Sequence, residues 1–379
     1  MPASFTNLKD DINLLRKYLT QRAFANRLLE FCKSQGILDC CRTAGRFTAG
    51  EMYAVLCAQR GFKTGSGRER MGRILFDLLS ECGILETRTT DGLVIYAFKG
   101  DSRILTPLSA DDRALLDEIF SSKMEFFERC VEHAGVFLKG GGYLYEFDDD
   151  AAVVWDRFLG NFEFKVARNF LVSAMNAYAT PQPSILDLCC GTGHGLETIL
   201  KEWPDAKVTA LDFTGAMRQT AQAKTDRYNG AINWIDPLTW PGFGHPLPFA
   251  SRSFDKVFFS CGDPYISEPI RYGVYSEIKR VLKPGGVLGS VAWGYPDAAR
   301  AHVNNRWIRI GVYIHDFAES VCRGWQGFHD IDATIKMAEE LGFERCNPFL
   351  NSYYMLDTAA WLFKRPDENE DGQDKARRP

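Results

Sequence analysis

Residues 184–195 read SILDLCCGTGHG, and this stretch decides the fold. Ser184–Leu188 is a short apolar run that carries Asp187 near its end, the signature of a buried strand. Gly191, Gly193 and Gly195 follow, where the chain must turn sharply and let a ligand approach the backbone. A helix starting at these glycines points its amide N–H groups and positive dipole end at that ligand. The reading is a nucleotide-type binding loop on an α/β sheet.

Working outward, KVTAL (207–211) reads as a second strand and ends in Asp212. An acidic residue about 20 positions beyond the glycines, at the tip of the second strand, suits the two hydroxyls of a ribose. FDKVFFS (254–260) reads as a further strand. RVLKPGGVLGSVAW (280–293) reads as a helix end, a Pro-Gly-Gly turn and another strand.

The ordered set DLCCGTG, ALDFTGAM, LPFASRSFDKV and RVLKPGG resembles the class I S-adenosylmethionine (SAM) dependent methyltransferases, from Ser184 to about Trp293. Asp187, Gly191 and Gly193 match the family's acidic-x-Gly-x-Gly-x-Gly pattern, whereas Cys189 stands at the first glycine. The Cys-Cys form is similar to the loop of quinone-ring C-methyltransferases. The resemblance implies a Rossmann-like α/β sheet, SAM as cofactor and S-adenosylhomocysteine (SAH) as product.

The chain has 379 residues, enough for two domains and a large core. A formal net charge of −4 argues against general nucleic-acid or membrane-surface binding. The 11 cysteines are scattered without a CxxC pair, which speaks against a zinc site or a disulfide framework, so no metal is expected. The N-terminus lacks the layout of a signal peptide and no run is long enough to span a membrane, so the cytoplasm is the expected location.

Before the glycine loop, residues 8–35 predict one amphipathic helix stopped by Gly36. Helices then start at two capping-box patterns, Thr48-Ala49-Gly50-Glu51 and Ser66-Gly67-Arg68-Glu69. Thr90-Asp91-Gly92 joins two strands as a hairpin. Helices followed by a hairpin predict a winged-helix arrangement. One reading is DNA binding through Arg68, Arg70 and Arg73. The other is dimerisation, because the order resembles the N-terminal domain of dimeric small-molecule O-methyltransferases. The expected division is a dimerisation domain over 1–105, a helical linker and substrate-pocket segment over 106–180, a SAM-binding domain over 181–364 and a disordered tail over 365–379.

A long helix is expected from Ser109 to about Ala134, then a break at Gly140-Gly141-Gly142. In the resembled family the helices matching residues 143–175 cover the cofactor site. This implies Tyr143, Tyr145, Trp155, Phe158, Phe162 and Arg168 as substrate-pocket candidates; packing is the competing role for each aromatic. Residues 297–322 read as an insertion after the fifth strand, placed as a lid or substrate wall, with Arg306 and Trp307 as further candidates.

Methyl transfer from a sulfonium is an in-line displacement, so the protein must align nucleophile and methyl and exclude water. Asp187, Gly191 and Gly193 are expected to hold the methionine end and Asp212 the ribose. Phe213 is expected to pack on the adenine, Asp236 to take its amino group, and Ser260 and Cys261 to flank the methionine moiety. Asp212 and Asp236 also suit helix caps. Dimeric O-methyltransferases place a catalytic histidine just past the fourth strand, but SCGDPYISEP (260–269) has none. The catalytic candidates are therefore Tyr145, Asp263, Tyr265 and His302. A missing base favours an acceptor with no proton to lose, such as a thioether, whose cationic product aromatic faces stabilise. The favoured function is S-methylation of a thioether acid such as 4-methylthio-2-hydroxybutyrate, as in the S-methyltransferases of dimethylsulfoniopropionate synthesis, with Arg168 or Arg306 on the carboxylate. The alternatives are O-methylation of a hydroxylated aromatic, quinone C-methylation, and a SAM-sensing winged-helix regulator. The expected partners are a small-molecule substrate and a second copy of the chain.

Overall fold

A computed structural model describes residues 18–100, 106–178, 180–228, 230–295, 305–346 and 358–367. The chain divides into two compact units. One holds the described residues of 11–146 and 298–327, the other those of 147–297 and 328–379.

In the first unit, helix α1 (Tyr18–Ser34) ends at Gly36, whose φ of 69° is the left-handed stop the sequence predicts. Helix α2 (Ile37–Ala44), strand β1 (Arg46–Thr48) and helix α3 (Ala49–Arg60) follow. The Thr48–Glu51 capping box is present at α3. Helix α4 (Ser66–Glu81) departs from expectation: Gly65 is its N-cap, and the Glu69 carboxylate accepts from the Gly65 N–H at 3.2 Å. Strands β2 (Leu85–Thr90) and β3 (Leu93–Phe98) meet across Asp91-Gly92, both at positive φ, the geometry of a tight hairpin turn. Strand β3 pairs antiparallel with both β1 and β2. Helix α5 (Ala110–Leu138), capped by a Ser109–Asp112 box, runs beyond the predicted end.

Two arginines offered for DNA contact are turned inward. Arg68 donates to the carbonyls of Phe137 and Gly141, and Arg70 to Asp316 and Ser320.

The second unit begins with helices α6 (Asp149–Leu159) and α7 (Phe162–Asn176). Strand β4 (Ser184–Leu188), helix α8 (His194–Glu202), strand β5 (Lys207–Leu211), helix α9 (Gly215–Thr225) and strand β6 (Ile232–Trp234) follow. Then come strand β7 (Phe254–Ser260), helix α10 (Glu268–Val281) and strand β8 (Leu282–Trp293). The sheet order is β6-β5-β4-β7-β8, followed by the C-terminal strands β10 (Thr358–Lys364) and, at the edge, β9 (Glu344–Arg345). Pairing is parallel from β6 to β8, and the last strands are antiparallel. Strand β4 is buried on both faces, as its apolar run requires. Leu186 and Leu188 join the core under α10, and Ile185 joins the core under α7 and α8. Burying each such side chain contributes about 1.5–3 kcal/mol.

The described residues of the 297–322 insertion lie in the first unit. They include helix α11 (Asn305–Glu319), which packs among α1, α4 and α5 in the first unit. A helix buried nearly all round belongs in a core, and its polar groups are paired there. Asp316 accepts from Arg70 at 2.5 Å and from the Trp325 indole at 2.8 Å, and Arg309 binds Glu81 at 2.6 and 3.0 Å. The chain closes with helix α12 (Ile331–Glu340), strand β9 (Glu344–Arg345) and strand β10 (Thr358–Lys364). Arg365, expected to open a disordered tail, is bound into the sheet: its N–H donates to the Gly286 carbonyl and its guanidinium to the Leu282 carbonyl, at 2.8 and 2.7 Å. No described helix is long and apolar enough to cross a membrane.

Candidate functional site

Strand order reverses between β4 and β7, and in open α/β sheets the crevice beyond the strand ends opens at that point. Asp187 lies there at the end of β4, 1% exposed, and its Oδ2 has no hydrogen-bond partner. Burial pushes its carboxyl well above the ordinary aspartate range. Neighbouring Asp212 adds to the shift and Arg168 opposes it. A buried carboxylate with an open oxygen is a receptor for a cationic group.

The loop after β4 takes its shape from Cys189, Gly191 and Gly193, all at positive φ (59°, 51° and 87°). Cys189 thus keeps the backbone of the glycine it replaces, at a cost of about 1–2 kcal/mol for a non-glycine residue. Gly195 is required for a different reason. A Cβ there would sit 2.7 Å from Asp187 Oδ2 and 2.9 Å from Phe258.

Asp212 is buried and its carboxylate organises the loop. One oxygen accepts from the Thr214 N–H and hydroxyl (2.9 and 2.6 Å), the other from the Gly191 N–H (2.9 Å). The N-cap of α9 is Thr214 and not Asp212, so the cap expected of Asp212 is not formed; Asp212 Oδ1 already accepts two bonds, and Oδ2, which accepts from Gly191, keeps acceptor capacity for a ligand hydroxyl. Phe213 is half-buried against Phe147 and Trp240. Asp236 is exposed and caps the turn Pro237–Thr239 through the Leu238 N–H at 2.9 Å. Ser260 and Cys261 are half-buried at the end of β7, and Cys261 has φ 59°.

The segment 147–176 flanks the crevice. Phe147 lies between Phe213 and Tyr265, with ring centroids at 5.3 and 6.4 Å. Trp155, Phe158, Phe164 and Trp293 form a continuous aromatic row with centroid spacings of 5.8, 5.1 and 4.4 Å. Phe158 is 1% exposed, so its packing role prevails, while Phe162 is half-buried at the start of α7. Arg168 is 5% exposed and its Nε has no partner. Burial pulls its guanidinium down to about 10, opposed by nearby Cys261 and Asp187. A buried guanidinium with an unused donor calls for an anion.

The structure brings together Asp187, Gly191, Gly193, Asp212, Phe213, Trp155, Phe158, Phe162, Arg168, Ser260 and Cys261 within the second unit. Tyr143, Tyr145, Arg306 and Trp307 belong to the first unit. Tyr145 is buried and stacked on Phe126, and burial pushes its phenol up to about 12, which makes it a poor base. Tyr143 is exposed beside Arg323. His302 lies outside the described residues.

Asp263 is a correction. Arg271 binds it in two places (3.1 and 2.8 Å), Tyr275 donates to it at 2.9 Å, and both charges are nearly fully buried. A carboxylate held this way is committed to structure. Tyr265 follows it in the same short turn.

His329, passed over in the sequence, lies at the same end of the sheet. Its Nδ1 is 3.0 Å from Glu268 Oε2 and its Nε2 3.0 Å from the Ile266 carbonyl. No spacing signal links residues 268 and 329, which only the fold juxtaposes.

Residues 185–286 match the family described as a methyltransferase domain. The match runs from strand β4 and its glycine loop to the start of strand β8. The chain is 26% identical over 239 residues to sterol 24-C-methyltransferase ERG6B of Gibberella zeae, covering 62% of this chain and 59% of that enzyme. It is 36% identical over 115 residues to demethylmenaquinone methyltransferase of Lactococcus lactis, covering 30% of this chain and 43% of the relative. The chain thus spans about half the length of these curated relatives. The structure is similar to the DszA carbon methyltransferase, with a TM-score of 0.61 at 15% identity over 95% of this chain and 93% of that one. At that identity the likeness is one of fold.

Proposed function

We propose that this protein transfers the methyl group of SAM to a small-molecule acceptor bound between the strand ends and helices α6 and α7. Asp187 takes the cofactor's ammonium, Gly191 and Gly193 let the methionine moiety approach the backbone, and Asp212 takes the ribose hydroxyls. Phe213 covers one adenine face and Asp236 offers its free oxygen to the adenine amino group. Ser260 and Cys261 border the sulfonium.

The favoured acceptor is a thioether acid such as 4-methylthio-2-hydroxybutyrate. The observation that carries this reading is Arg168, a buried guanidinium with an unused donor beside the cofactor loop. The acceptor sulfur lone pair attacks the methyl carbon as the donor's carbon–sulfur bond breaks, giving a new sulfonium and SAH. No proton leaves, so no base is needed. An aromatic face such as Trp155 stabilises the product cation by about 0.5–2 kcal/mol.

A second reading is methylation of carbon or oxygen with loss of a proton. The names of the sterol and demethylmenaquinone relatives favour it, with carbon as the methylated atom. The first unit serves as a winged-helix dimerisation domain, a role supported by its helices and hairpin and by the inward-turned Arg68 and Arg70.

The test is SAH release from SAM with thioether acids, phenols, quinols and sterols, together with carboxyl-free analogues of each. Turnover of the thioether acid, lost without its carboxyl, supports the favoured reading. Turnover only of phenols, quinols or sterols transfers the function to the second. SAM binding without turnover of any acceptor supports the regulator.

A further inference from the structure

We propose that Asp156 is a positioning residue that fastens helix α6 to the cofactor's glycine loop, so that the acceptor wall and the cofactor site form together. The proposal rests on the cofactor placement given under Proposed function.

Three elements meet at this carboxylate. Asp156 is on α6, His194 is the first residue of α8 directly after Gly193, and Lys224 is near the end of α9. His194 Nε2 lies 3.0 Å from both Asp156 Oδ1 and the Asp156 carbonyl. Lys224 donates from Nζ to the same Oδ1, and this ammonium is 2.9 Å from His194 Nε2. All three side chains are partly buried, which strengthens charge-assisted hydrogen bonds over exposed ones.

A separate observation shows how closely the end of α6 is docked. A Cβ on Gly160 would lie 2.9 Å from the Asp156 carbonyl and 3.1 Å from the His194 ring. A side chain at that distance would make the His194 ring give way by a few tenths of an ångström, so the α6–α7 turn packs close against His194.

The consequence is mechanical. Asp156 is adjacent to Trp155 and two residues before Phe158 on the same helix, so holding Asp156 places both aromatics. His194 is adjacent to Gly193, so the same contact limits the motion of the glycine loop. A ligand that orders the loop therefore also orders α6, and the reverse follows by linkage.

The experiment uses the full chain and the variants Asp156→Asn, Asp156→Glu and His194→Ala. SAH affinity is measured by calorimetry, and amide hydrogen exchange is followed over 150–162 and 190–197 with and without SAH. Asn keeps the shape but removes the charge. We expect Asp156→Asn and His194→Ala to weaken SAH binding about tenfold and to erase SAH-induced protection over 150–162. Asp156→Glu should recover most of both, which a purely packing role would not produce. Wild-type SAH affinity in Asp156→Asn with protection over 150–162 intact overturns the proposal. If the wild-type protein binds no SAH, the cofactor reading falls. The clamp is then judged on ligand-free exchange: faster exchange in both segments of Asp156→Asn supports it, and unchanged exchange overturns it.

Discussion

Replacing Asp263 by Asn separates a structural carboxylate from a catalytic one. Asp263 and Arg271 are 3% and 2% exposed, and two hydrogen bonds join them. Arg271 also donates to Thr334 at 2.7 Å, so the pair pins the turn after β7 to α10 and α12. The variant leaves the arginine buried with a neutral partner whose amide donor faces its own N–H groups. Breaking a buried pair from one side costs about 3–5 kcal/mol. For a unit of this size each kcal/mol lowers Tm by about 2–4 °C, so a fall of about 6–20 °C is expected by differential scanning fluorimetry. The folded fraction, assayed well below that Tm, should keep kcat within a few-fold. The pair replacement Asp263→Leu with Arg271→Met should be more stable than Asp263→Asn, since it leaves no unpaired charge. A variant with wild-type Tm and a kcat lowered about a hundredfold or more would refute the reasoning and restore Asp263 as a general base.

Three further outcomes follow from the geometry. Gly195→Ala drives a methyl group against Asp187 and Phe258, so it should cost about 1–3 kcal/mol in denaturant melts and weaken SAH binding at least tenfold in calorimetry. Asp316→Ala strips Arg70 and the Trp325 indole of their shared acceptor in the first unit. Calorimetric unfolding should show a destabilised transition while SAH affinity is kept. Lys256 is buried, donates to the carbonyls of Met175 and Tyr178 at 3.0 and 2.5 Å, and is pulled down to about 8 by burial, opposed by Asp255. Its folded value lies below its unfolded one, so the unfolded chain binds more protons between about pH 8 and 10.5, and stability should rise across that window by at most about 3 kcal/mol. Buried cysteines and tyrosines carry the opposite sign, so the Lys256 share is read as the difference in slope between wild type and Lys256→Met.

The sequence by itself determined the sheet and the cofactor loop. A parallel strand buried on both faces must be a short apolar run, and a ligand loop at its end must spend residues on positive φ. Both demands act within a few residues and so leave a local trace in SILDLCCGTG. Asp212 was legible for the same reason, as the residue directly after the next strand. Only the tertiary structure decided which charged groups are free. Asp263 reads as a candidate base until Arg271 and Tyr275 are seen to occupy it, and His329 reads as nothing until it meets Glu268. Helix α11 looks like a lid in the chain order, yet its buried surface fits a gap among α1, α4 and α5. The partners of Asp263 lie only 8 and 12 positions on, across a turn, whereas Arg271–Thr334 and Arg70–Ser320 join residues 63 and 250 positions apart. At such separations spacing carries no signal, because the chain between the partners can take many paths and packing selects one.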